Sequence, residues 1–357
     1  MFLRENTRAV SVGPLRIGGG AEISVQSMTN VPTHQSQAAL RQIEQLAAAG
    51  ADLVRLAVPT AEDTAALKEI VRQSPVPLIA DVHFHFDRAI EAIEAGVAKV
   101  RLNPGNIADR HKVQQVIRAC KDHGVAVRVG VNSGSIKARS GRAKKTESAR
   151  DLPELMIEKI AAYLDIFAAC DFDQVVLSAK CSEVNQTVEV YHSLAERFDF
   201  PLHLGFTAAG PLETGLIKNS LALGKLLGEG IGNTMRVSLT ADPVEEVLAA
   251  KEILYNLGLR RRREPELISC PTCGRCYADL VNVVRQARLR LAQLHSPIRV
   301  AVMGCEVNGP GEAAQADYAL CMGPKRALLY RRGRAVGSCS FETMLDELLE
   351  LIKQHET

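Results

Sequence analysis

Between about residue 20 and residue 240 the sequence repeats one rhythm: a short apolar run, a polar or glycine-containing turn, and a segment with helical spacing of its apolar residues. This alternation predicts parallel strands joined by crossover helices. The predicted strands are Ile23–Ser27, Asp52–Val58, Leu78–His83, Lys99–Asn103, Ala126–Asn132, Gln174–Lys180, Pro201–Phe206 and Thr234–Leu239. The predicted helices include Gln35–Ala49, Thr60–Gln73, Phe86–Ala95, Ala108–His123, Leu152–Ala169 and Asn185–Phe198, with Gly50, Gly96 and Gly124 as C-caps.

Eight strands at this period favour a (β/α)8 barrel of the TIM type over an open doubly wound sheet. A doubly wound sheet would carry a glycine-rich phosphate turn after its first strand. Here Ser27 is followed by Met28-Thr-Asn-Val instead. The fold class is therefore predicted to be α/β with a barrel at the N-terminal side.

The overall composition restricts the functions of such a barrel. Hydrophobic residues make up 46% of the 357 residues and charged residues 24%, which is sufficient for a sizeable core. A net charge of +2, no Trp and only 4% aromatic residues argue against nucleic-acid binding. No long apolar run predicts a membrane span, and residues 1–5 do not resemble a signal peptide. Nine cysteines without a leader predict metal or redox use in a reducing cytoplasm.

The rhythm stops at the charge-rich segment Leu259–Pro265, which contains four successive arginines and is predicted to be a linker. Such a short basic run is typical of a solvated face, so nucleic-acid binding is the weaker interpretation. The predicted domains are a barrel over residues 1–260 and a smaller α/β domain over residues 261–357. The second domain is predicted to contain helix Ala278–Leu294, strands Ile298–Met303 and Ala316–Met322, a hairpin over Arg326–Val336 and helix Phe341–Gln354.

The second domain opens with a cysteine-rich stretch, Cys270-Pro-Thr-Cys273-Gly-Arg-Cys276, and a further cysteine, Cys305, follows about thirty residues later. C-x2-C spacing lets one turn aim neighbouring thiolates at a single metal centre, which the distant cysteine closes. Structural zinc and buried free cysteines are alternatives. The loop that follows, rich in Gly and Pro, has room for a bulky group, and Glu312 offers an oxygen ligand, so an iron–sulfur cluster is favoured. The other cysteines are interpreted as packing residues: Cys120, Cys170, Cys181, Cys321 and Cys339.

Five predicted strands each contain a basic residue within an otherwise mainly apolar segment. These cations are Arg55, Arg101, Arg128, Lys180 and Arg236. A buried cation needs a partner anion, and one interpretation pairs each of them with an internal carboxylate. The strands supply few acids, Asp81 being the clearest. Because barrel sites gather at the carboxyl ends of the strands, the cations are predicted to converge there on one multiply charged ligand, a phosphate or diphosphate ester.

Other polar residues follow the same strand ends. Asn132 and the Asn103–Asn106 turn offer amides for anion binding. Asp81 and His83 lie one alternation apart on one side of their strand, either as a pair that only holds the loop or as catalytic groups. Lys180 is interpreted as an electrostatic clamp, although barrel aldolases use such a lysine as a Schiff base.

Several motifs taken together resemble those of bacterial 4-hydroxy-3-methylbut-2-enyl diphosphate synthase of the methylerythritol phosphate pathway of isoprenoid biosynthesis. The resemblance covers nearly the whole chain. It rests on Val25-Gln-Ser-Met-Thr-Asn30, Ile79-Ala-Asp-Val-His-Phe84, Arg101-Leu-Asn-Pro-Gly-Asn-Ile107, Gly130-Val-Asn-Ser-Gly-Ser135, Gly230-Ile-Gly-Asn-Thr-Met-Arg-Val-Ser-Leu-Thr240, Ser269-Cys-Pro-Thr-Cys-Gly-Arg275 and Met303-Gly-Cys-Glu-Val-Asn-Gly-Pro-Gly-Glu-Ala313. The last two are the most specific.

The resemblance implies an oxidoreductase that opens 2-C-methyl-D-erythritol 2,4-cyclodiphosphate reductively to the allylic diphosphate, with two electrons from flavodoxin or ferredoxin. It implies a homodimer in which the barrel mouth of one subunit meets the cluster domain of the other. The implied 4Fe–4S ligands are Cys270, Cys273, Cys305 and Glu312. Glu312 is therefore a candidate catalytic residue, in addition to Asp81 and His83 from the strand pattern. The implied substrate-binding residues are Arg55, Arg101, Arg128, Asn132, Lys180, Arg236 and Ser238.

The chain departs from the family pattern at several positions. A family glutamate that acts as acid or base is replaced by Ala208, and the usual aspartate of G-D-T is Asn233. Cys276 is an extra thiol that could complete an all-cysteine site in place of Glu312. Glu213 is the candidate substitute for the missing acid. The alternatives are therefore a diverged paralogue marked by Ala208 and Asn233, a non-catalytic iron–sulfur sensor, and a zinc-stabilised barrel aldolase.

Overall fold

The computed structural model describes residues 2–83, 85–104, 106–107, 109–137, 152–306 and 309–356. The chain divides into two compact units, Met1–Arg260 and Arg261–Thr357. Among the described residues, none of the helices has both the length and the apolar character needed to cross a membrane.

The first unit contains a two-stranded hairpin and an eight-stranded parallel sheet. The hairpin strands are β1 (Val10–Val12) and β2 (Leu15–Ile17). The parallel strands are β3 (Ser24–Met28), β4 (Leu53–Ala57), β5 (Leu78–Asp81), β6 (Lys99–Leu102), β7 (Ala126–Asn132), β8 (Val175–Lys180), β9 (His203–Gly205) and β10 (Thr234–Arg236). Their order is β8-β7-β6-β5-β4-β3-β10-β9, and a parallel bridge between Leu177 and Leu202 brings the two edges together. The sheet therefore forms the barrel that the sequence predicts.

Helices follow the barrel strands as crossovers. They are α1 (Ser36–Ala49), α2 (Ala61–Gln73), α3 (Phe86–Glu94), α4 (Arg110–His123), α5 (Ser133–Lys137), α6 (Leu152–Ala169), α7 (Val184–Arg197), α8 (Leu212–Gly228) and α9 (Pro243–Asn256). Gly50 and Gly124 end α1 and α4 in the left-handed conformation, as predicted. The predicted start of α4, Ala108, lies outside the described residues, and α4 is capped by Asp109, whose carboxylate accepts from His111 N–H.

The last barrel strand is shorter than the sequence predicts, because side chains replace a neighbouring strand as the hydrogen-bond acceptors of the residues that follow it. The tenth strand was expected to reach Leu239, but β10 ends at Arg236. Beyond it, the Ser238 N–H donates to Asn219 Oδ1 at 3.4 Å and the Leu239 N–H donates to Glu246 Oε1 at 2.9 Å. Both acceptors lie on helices, so the backbone leaves the sheet without unpaired groups.

The β1–β2 hairpin, which the sequence analysis did not predict, closes the amino-terminal end of the barrel. Val10, Val12 and Ile17 are buried and pack in one cluster with the inward-facing residues at the bottoms of four barrel strands. Those residues are Leu53, Ile79, Ala126 and Val176. Because this end is sealed by apolar packing, an open site is confined to the opposite, carboxyl end.

The second unit is a five-stranded mixed sheet with helices. Its elements are β11 (Glu266–Ser269), α10 (Leu280–Leu291), β12 (Arg299–Met303), α11 (Gly309–Ala313), β13 (Tyr318–Met322), β14 (Ala327–Arg331), β15 (Arg334–Cys339) and α12 (Met344–Glu356). The first three strands are parallel, and the last three run antiparallel to one another. Strand β11 was not predicted, because it is a short and partly exposed edge strand without an apolar face.

Candidate active site

A cavity of about 320 Å³ opens at the carboxyl ends of the barrel strands. It is lined by Met28, Arg55, Asp81, His83, Arg101, Arg128, Gly130, Asn132, Ser178, Lys180, Phe206, Thr207, Ala208, Arg236 and Ser238. All the cations that the sequence analysis selected, together with Asn132, Ser238, Asp81 and His83, line this one cavity. We call it the barrel mouth.

Two of the arginines share Asp81. Arg101 Nη1 donates to Asp81 Oδ1 at 3.1 Å and Arg101 Nη2 donates to the carbonyl oxygen of Gly130 at 3.1 Å. Arg55 Nε lies 3.6 Å from Asp81 Oδ2. Burial alone would raise the pKa of Asp81, but Arg55, the hydrogen bond from His83, and Arg101 together hold that pKa well below its ordinary value. Asp81 is therefore a permanent anion that orients arginines, which favours a positioning role over proton transfer.

Arg236 has its own carboxylate, which sequence reasoning missed. Arg236 Nε and Nη2 donate to Glu246 at 3.0 and 3.1 Å in a forked pair. Glu246 is buried on α9, outside the strands that were searched for acids. Its place behind the cation could have been found only from the tertiary structure.

Arg128 and Lys180 complete the cationic wall, and neither forms an ion pair with a carboxylate among the described residues. The Nε and Nη1 atoms of Arg128 are buried and have no hydrogen-bond partner in that part of the chain. Lys180 is buried, and this burial, together with Arg128 and the other arginines, holds its pKa well below the ordinary value. Five basic side chains thus face two carboxylates, Asp81 at the mouth and Glu246 behind Arg236, and the excess positive potential suits a multiply charged anion.

Two glycines make room for these long side chains. A Cβ atom on Gly205 would lie 2.4 Å from Lys180 Nζ, and one on Gly130 would lie 3.1 Å from Arg101 Nε. Both glycines sit on barrel strands at inward-facing positions. Glycine is required at these two positions because of basic side chains on other strands, so the local sequence contains no signal for it.

His83 stands at the rim of the barrel mouth. Its Nε2 lies 3.5 Å from Asp81 Oδ2 and 3.3 Å from Arg101 Nη1, and its Nδ1 lies 3.0 Å from Asn106 Nδ2. The imidazole is about half exposed, with 45% of its side chain accessible, whereas Asp81 is buried. His83 is therefore the accessible imidazole of the mouth, and Asp81 anchors it from behind.

Ala208 also lines the mouth, and its φ of 53° is in the left-handed region. Glu213, the suggested substitute for the missing acid, lies exposed in the first turn of α8 and is not among the residues that line the mouth. The structure thus gives no contact that supports this role for Glu213.

Asn233 lies away from the mouth and has a structural position. Its Oδ1 accepts from the Leu202 N–H at 3.0 Å, and its Nδ2 donates to Thr7 Oγ1 at 3.0 Å. It borders a larger cleft of about 570 Å³ at the amino-terminal ends of β9 and β10. Because the active sites of (β/α)8 barrels lie at the carboxyl ends of the strands, this cleft at the amino-terminal ends is not the candidate site.

Sequence reasoning also missed two basic residues in the barrel interior, Lys99 and His203. Both are fully buried. Lys99 precedes Arg101 by two residues on β6, so the two side chains share a face of the strand. The strand alternation that identified Arg101 as an inward-facing basic residue could therefore have identified Lys99 as well.

The cysteines of the second unit gather at the carboxyl ends of two adjacent parallel strands. Cys270 directly follows β11, and Cys305 lies two residues after β12. The Gly304 N–H donates to Cys270 Sγ at 3.3 Å, and the Cys276 N–H donates to the Cys273 carbonyl at 3.1 Å, which closes the turn between them. Cys305 is buried, Cys270 and Cys276 are half-buried, and Cys273 is exposed.

Within the described ranges, no three His, Cys, Asp or Glu side chains converge as the ligands of a single metal ion. The donor set nevertheless fits an iron–sulfur cluster, whose several irons take thiolates from separated positions and whose sulfur ligands accept backbone hydrogen bonds, as Cys270 does. Glu312 is exposed on α11, which packs against β12 and β13.

Cys321, interpreted from sequence as a packing residue, is buried on β13 opposite Met303 of β12. Burial, together with the neighbouring Cys270 and Cys305, raises the pKa of the Cys321 thiol to about 12. An uncharged buried thiol is consistent with packing behind the cysteine loops.

Fold and site together define a two-unit barrel protein with a cationic mouth at the carboxyl end of its strands and a separate cysteine-bearing α/β unit. Family models agree in both parts: residues 7–251 match the GcpE TIM-barrel domain and residues 266–354 match the GcpE protein C-terminal domain. The chain belongs to the GcpE family.

Named relatives span nearly the whole chain. The 4-hydroxy-3-methylbut-2-en-1-yl diphosphate synthase (flavodoxin) of Symbiobacterium thermophilum is 47% identical over 354 residues, which cover 99% of this chain and 94% of the relative. The Bacillus subtilis protein of the same name is 43% identical over 345 residues, covering 97% and 90%. Among solved structures, the Yersinia pestis dihydropteroate synthase superposes with a TM-score of 0.50 at 12% identity, covering 70% of this chain and 97% of that chain. That likeness concerns the barrel fold alone.

Proposed function

We propose that this protein converts 2-C-methyl-D-erythritol 2,4-cyclodiphosphate into (E)-4-hydroxy-3-methylbut-2-enyl diphosphate, using a 4Fe–4S cluster and two electrons from flavodoxin or ferredoxin. The observation that carries the proposal is the barrel mouth, where five basic side chains face two carboxylates in a member of the GcpE family. The named relatives are synthases of this product, and their names specify flavodoxin.

The conversion consumes two electrons and two protons and releases one water. The bond between C2 and its phosphate oxygen breaks, the C3 hydroxyl leaves, and a double bond forms between these carbons. The freed phosphate oxygen gives the product one more acidic oxygen than the cyclic substrate. An excess of cations around the diphosphate therefore stabilises the charge that develops as the ring opens.

The basic residues contribute in different ways to binding the diphosphate. Arg101 and Arg236 are held by Asp81 and Glu246, so each presents its guanidinium at a defined angle. Arg128 has unfilled donors at Nε and Nη1, which makes it the strongest candidate to bind phosphate oxygens. Arg55 adds charge to the same wall, Lys180 adds a buried amine, and Asn132 and Ser238 add neutral hydrogen-bonding groups at its rim.

Protons must reach the leaving groups through groups at the mouth. Ala208 brings no carboxylate to the position where the family pattern has one. His83 is the accessible imidazole there and lies close to both Asp81 and Arg101. We therefore assign proton delivery to His83, with Asp81 as its anchor.

The residues that would hold the cluster are Cys270, Cys273, Cys305 and Glu312, and the bound cluster would supply the two electrons. The carboxylate of Glu312 would hold its iron less firmly than a fourth thiolate would. The proposal includes the homodimer that the family resemblance implies, in which the second unit of one subunit would meet the barrel mouth of its partner. Asn233 was one of the two residues that suggested a diverged paralogue. It lies at the amino-terminal end of the barrel, away from the mouth, so it no longer supports that alternative.

The test is anaerobic turnover of reconstituted full-length protein with a reduced viologen dye and the cyclic diphosphate. Dye oxidation with formation of the allylic diphosphate is expected. Arg128→Met should lower kcat/KM by at least about 100-fold, since a buried charged hydrogen bond to substrate is lost. Arg197→Met, which removes an exposed arginine paired with Glu154, should leave turnover unchanged. Absence of turnover and of substrate binding in the unaltered protein would refute the proposal.

A further inference from the structure

Lys99 is a buried lysine that the proposed reaction does not use. Its side chain on β6 is fully inaccessible, and its Nζ has no hydrogen-bond partner among the described residues. It shares the inward face of β6 with Arg101 but does not line the barrel mouth. The ammonium-bearing end therefore lies inside the barrel, behind the cations that face the ligand.

The charged groups around Lys99 are mostly of its own sign. Arg128 of β7 and Arg55 of β4 are the charges that act on it, and both are buried cations. His203 of β9 is buried, and its Nε2 has no hydrogen-bond partner among the described residues. Burial lowers the pKa of His203, and Arg128 and Lys99 contribute to this shift. Asp81 of β5, the carboxylate that lines the mouth, is already engaged by two arginines.

A protonated lysine in this position would be shielded from solvent, would have no hydrogen-bond partner among the described residues and would be repelled by its neighbours. Burial, with Arg128 and Arg55, lowers the pKa of Lys99 well below its ordinary value. Lys180 of β8 and His203 of β9 have pKa values lowered by the same combination of burial and cations. Burial without a partner therefore favours the uncharged amine of Lys99 as long as no anion is bound at the mouth.

We infer that Lys99 is a positioning residue that takes up a proton when an anion binds in the barrel mouth, and that it thereby makes the affinity for the anion depend on pH. Arg128 carries the coupling, because it lines the mouth and lies on β7 only two residues beyond Ala126, the register partner of Lys99. An anion on the unfilled donors of Arg128 cancels part of the repulsion that Arg128 exerts on Lys99. The proton comes from solvent, and the second positive charge then strengthens the binding of the anion.

The inference rests on the proposed function only for the identity of the anion. Uptake of one proton makes the affinity fall as the pH rises, by at most about tenfold per pH unit. Replacing Lys99 by an uncharged residue should abolish this dependence and weaken binding at pH 7, by about tenfold for each unit by which the pKa of Lys99 in the bound state exceeds that pH.

The experiment is calorimetry on the full-length protein, prepared anaerobically and without an electron donor so that no turnover occurs. The ligands are the cyclic diphosphate and, separately, sodium sulfate. Neither ligand changes its own protonation between pH 7 and 9, so any proton taken up belongs to the protein. Each titration is run in two cationic buffers of different ionisation enthalpy at several pH values, and the buffer dependence of the heat counts the protons. The variants are Lys99→Met and, as the matched control, His203→Gln.

Proton uptake in the unaltered protein and in His203→Gln, with loss of uptake in Lys99→Met, is the expected result. Binding without uptake in the unaltered protein overturns the inference even if no variant folds, and so does uptake that persists in Lys99→Met. If sulfate binds with Lys99-dependent uptake but the cyclic diphosphate does not bind, the inference stands and the proposed function fails. If neither anion binds, both fail.

Discussion

Buried charges of the barrel interior differ in how they are compensated. Arg101 is paired with Asp81, and Arg236 makes a forked pair with Glu246. Arg128 and Lys99 have buried nitrogen atoms without partners among the described residues. Paired arginines are held in place at little net cost, whereas unpaired cations destabilise the empty barrel. The unpaired side chains are therefore the ones whose charge a bound anion would use.

Lys99→Met should stabilise the ligand-free protein at neutral pH. The folded barrel holds Lys99 neutral while the unfolded chain protonates it, so the unfolded state binds more protons and stability rises with pH. The cost to the unaltered protein is therefore present at pH 7 and fades as the pH approaches 10.5, the ordinary value for lysine. We expect a gain of roughly 1–4 kcal/mol at pH 7, as when buried charged groups are replaced by apolar ones.

Urea unfolding of Lys99→Met and the unaltered protein between pH 7 and 10 measures this difference. Lys159→Met, on the outer helix α6, is the control and should change the free energy of unfolding by less than about 0.5 kcal/mol. A gain for Lys99→Met that grows with pH would contradict the assignment of an uncharged Lys99.

Ala208→Glu should raise turnover. Ala208 lines the mouth, so a carboxylate placed there reaches the region where protons are needed. General acids contribute about 10²–10⁴-fold, and because His83 already serves, we expect a gain of about tenfold in kcat. Steady-state kinetics with reduced viologen measures it. Ala208→Gly is the control: glycine suits the φ of 53° and adds no acid, so it should stabilise the fold by up to about 1 kcal/mol without raising kcat.

At the scale of elements, the β1–β2 hairpin determines which end of the barrel can be open. Its apolar side chains fill the amino-terminal end, and the inward-facing residues change from apolar there to charged at the mouth. This gradient leaves the five basic residues of the mouth, but not the buried Lys99, in the half of the barrel that ligand can reach. The hairpin thus contributes to the site without touching it.

Ile17→Ala tests the hairpin as a plug. Ile17 is fully buried against the strand bottoms, so its truncation should cost about 2–5 kcal/mol in the free energy of unfolding. Ile217→Ala is the matched control, since Ile217 is 61% exposed on α8 and the same truncation there should cost less than about 0.5 kcal/mol. Denaturant unfolding followed by circular dichroism compares them. Equal effects would show that the hairpin adds no packing energy to the barrel.

At the scale of the whole molecule, the two units carry different halves of the proposed chemistry. The barrel supplies charge and the second unit supplies thiols at the carboxyl ends of β11 and β12. The cysteine turn has one more thiol than the implied ligand set. A Cβ on Gly304 would lie 2.6 Å from Cys276 Sγ, and the Gly304 N–H donates to Cys270. Cys276 is thus close to the loop that bears Cys305.

Cys276→Ser and Glu312→Ala separate the two possible ligand sets. We expect Cys276→Ser to keep four irons per chain after anaerobic reconstitution. Glu312→Ala should lose about one of them, with altered visible absorption and electron paramagnetic resonance spectra. Iron analysis and these spectra need no turnover. The reverse pattern, an intact cluster in Glu312→Ala and loss in Cys276→Ser, would identify an all-cysteine site.

Much of the barrel was predictable because its signals are local. Eight apolar runs alternate with helical segments, and each of the eight became a strand. The cations of the mouth were predictable for the same reason, since an arginine inside an apolar strand is visible in the sequence. Hairpin β1–β2 and strand β11 were missed, because these short strands stand outside the strand–helix alternation that identified barrel strands of equal length.

The amino-acid sequence by itself determined the barrel, the two-part organisation of the family and the set of basic residues, because strand alternation and motif spacing depend on near neighbours along the chain. Only the tertiary structure decided which basic residues are compensated. Glu246 reaches Arg236 from a helix, and Gly205 makes room for Lys180 from another strand. Closure of the sheet brings these residues together across the barrel, and that same closure leaves Lys99 buried without a hydrogen-bond partner in the described part of the chain.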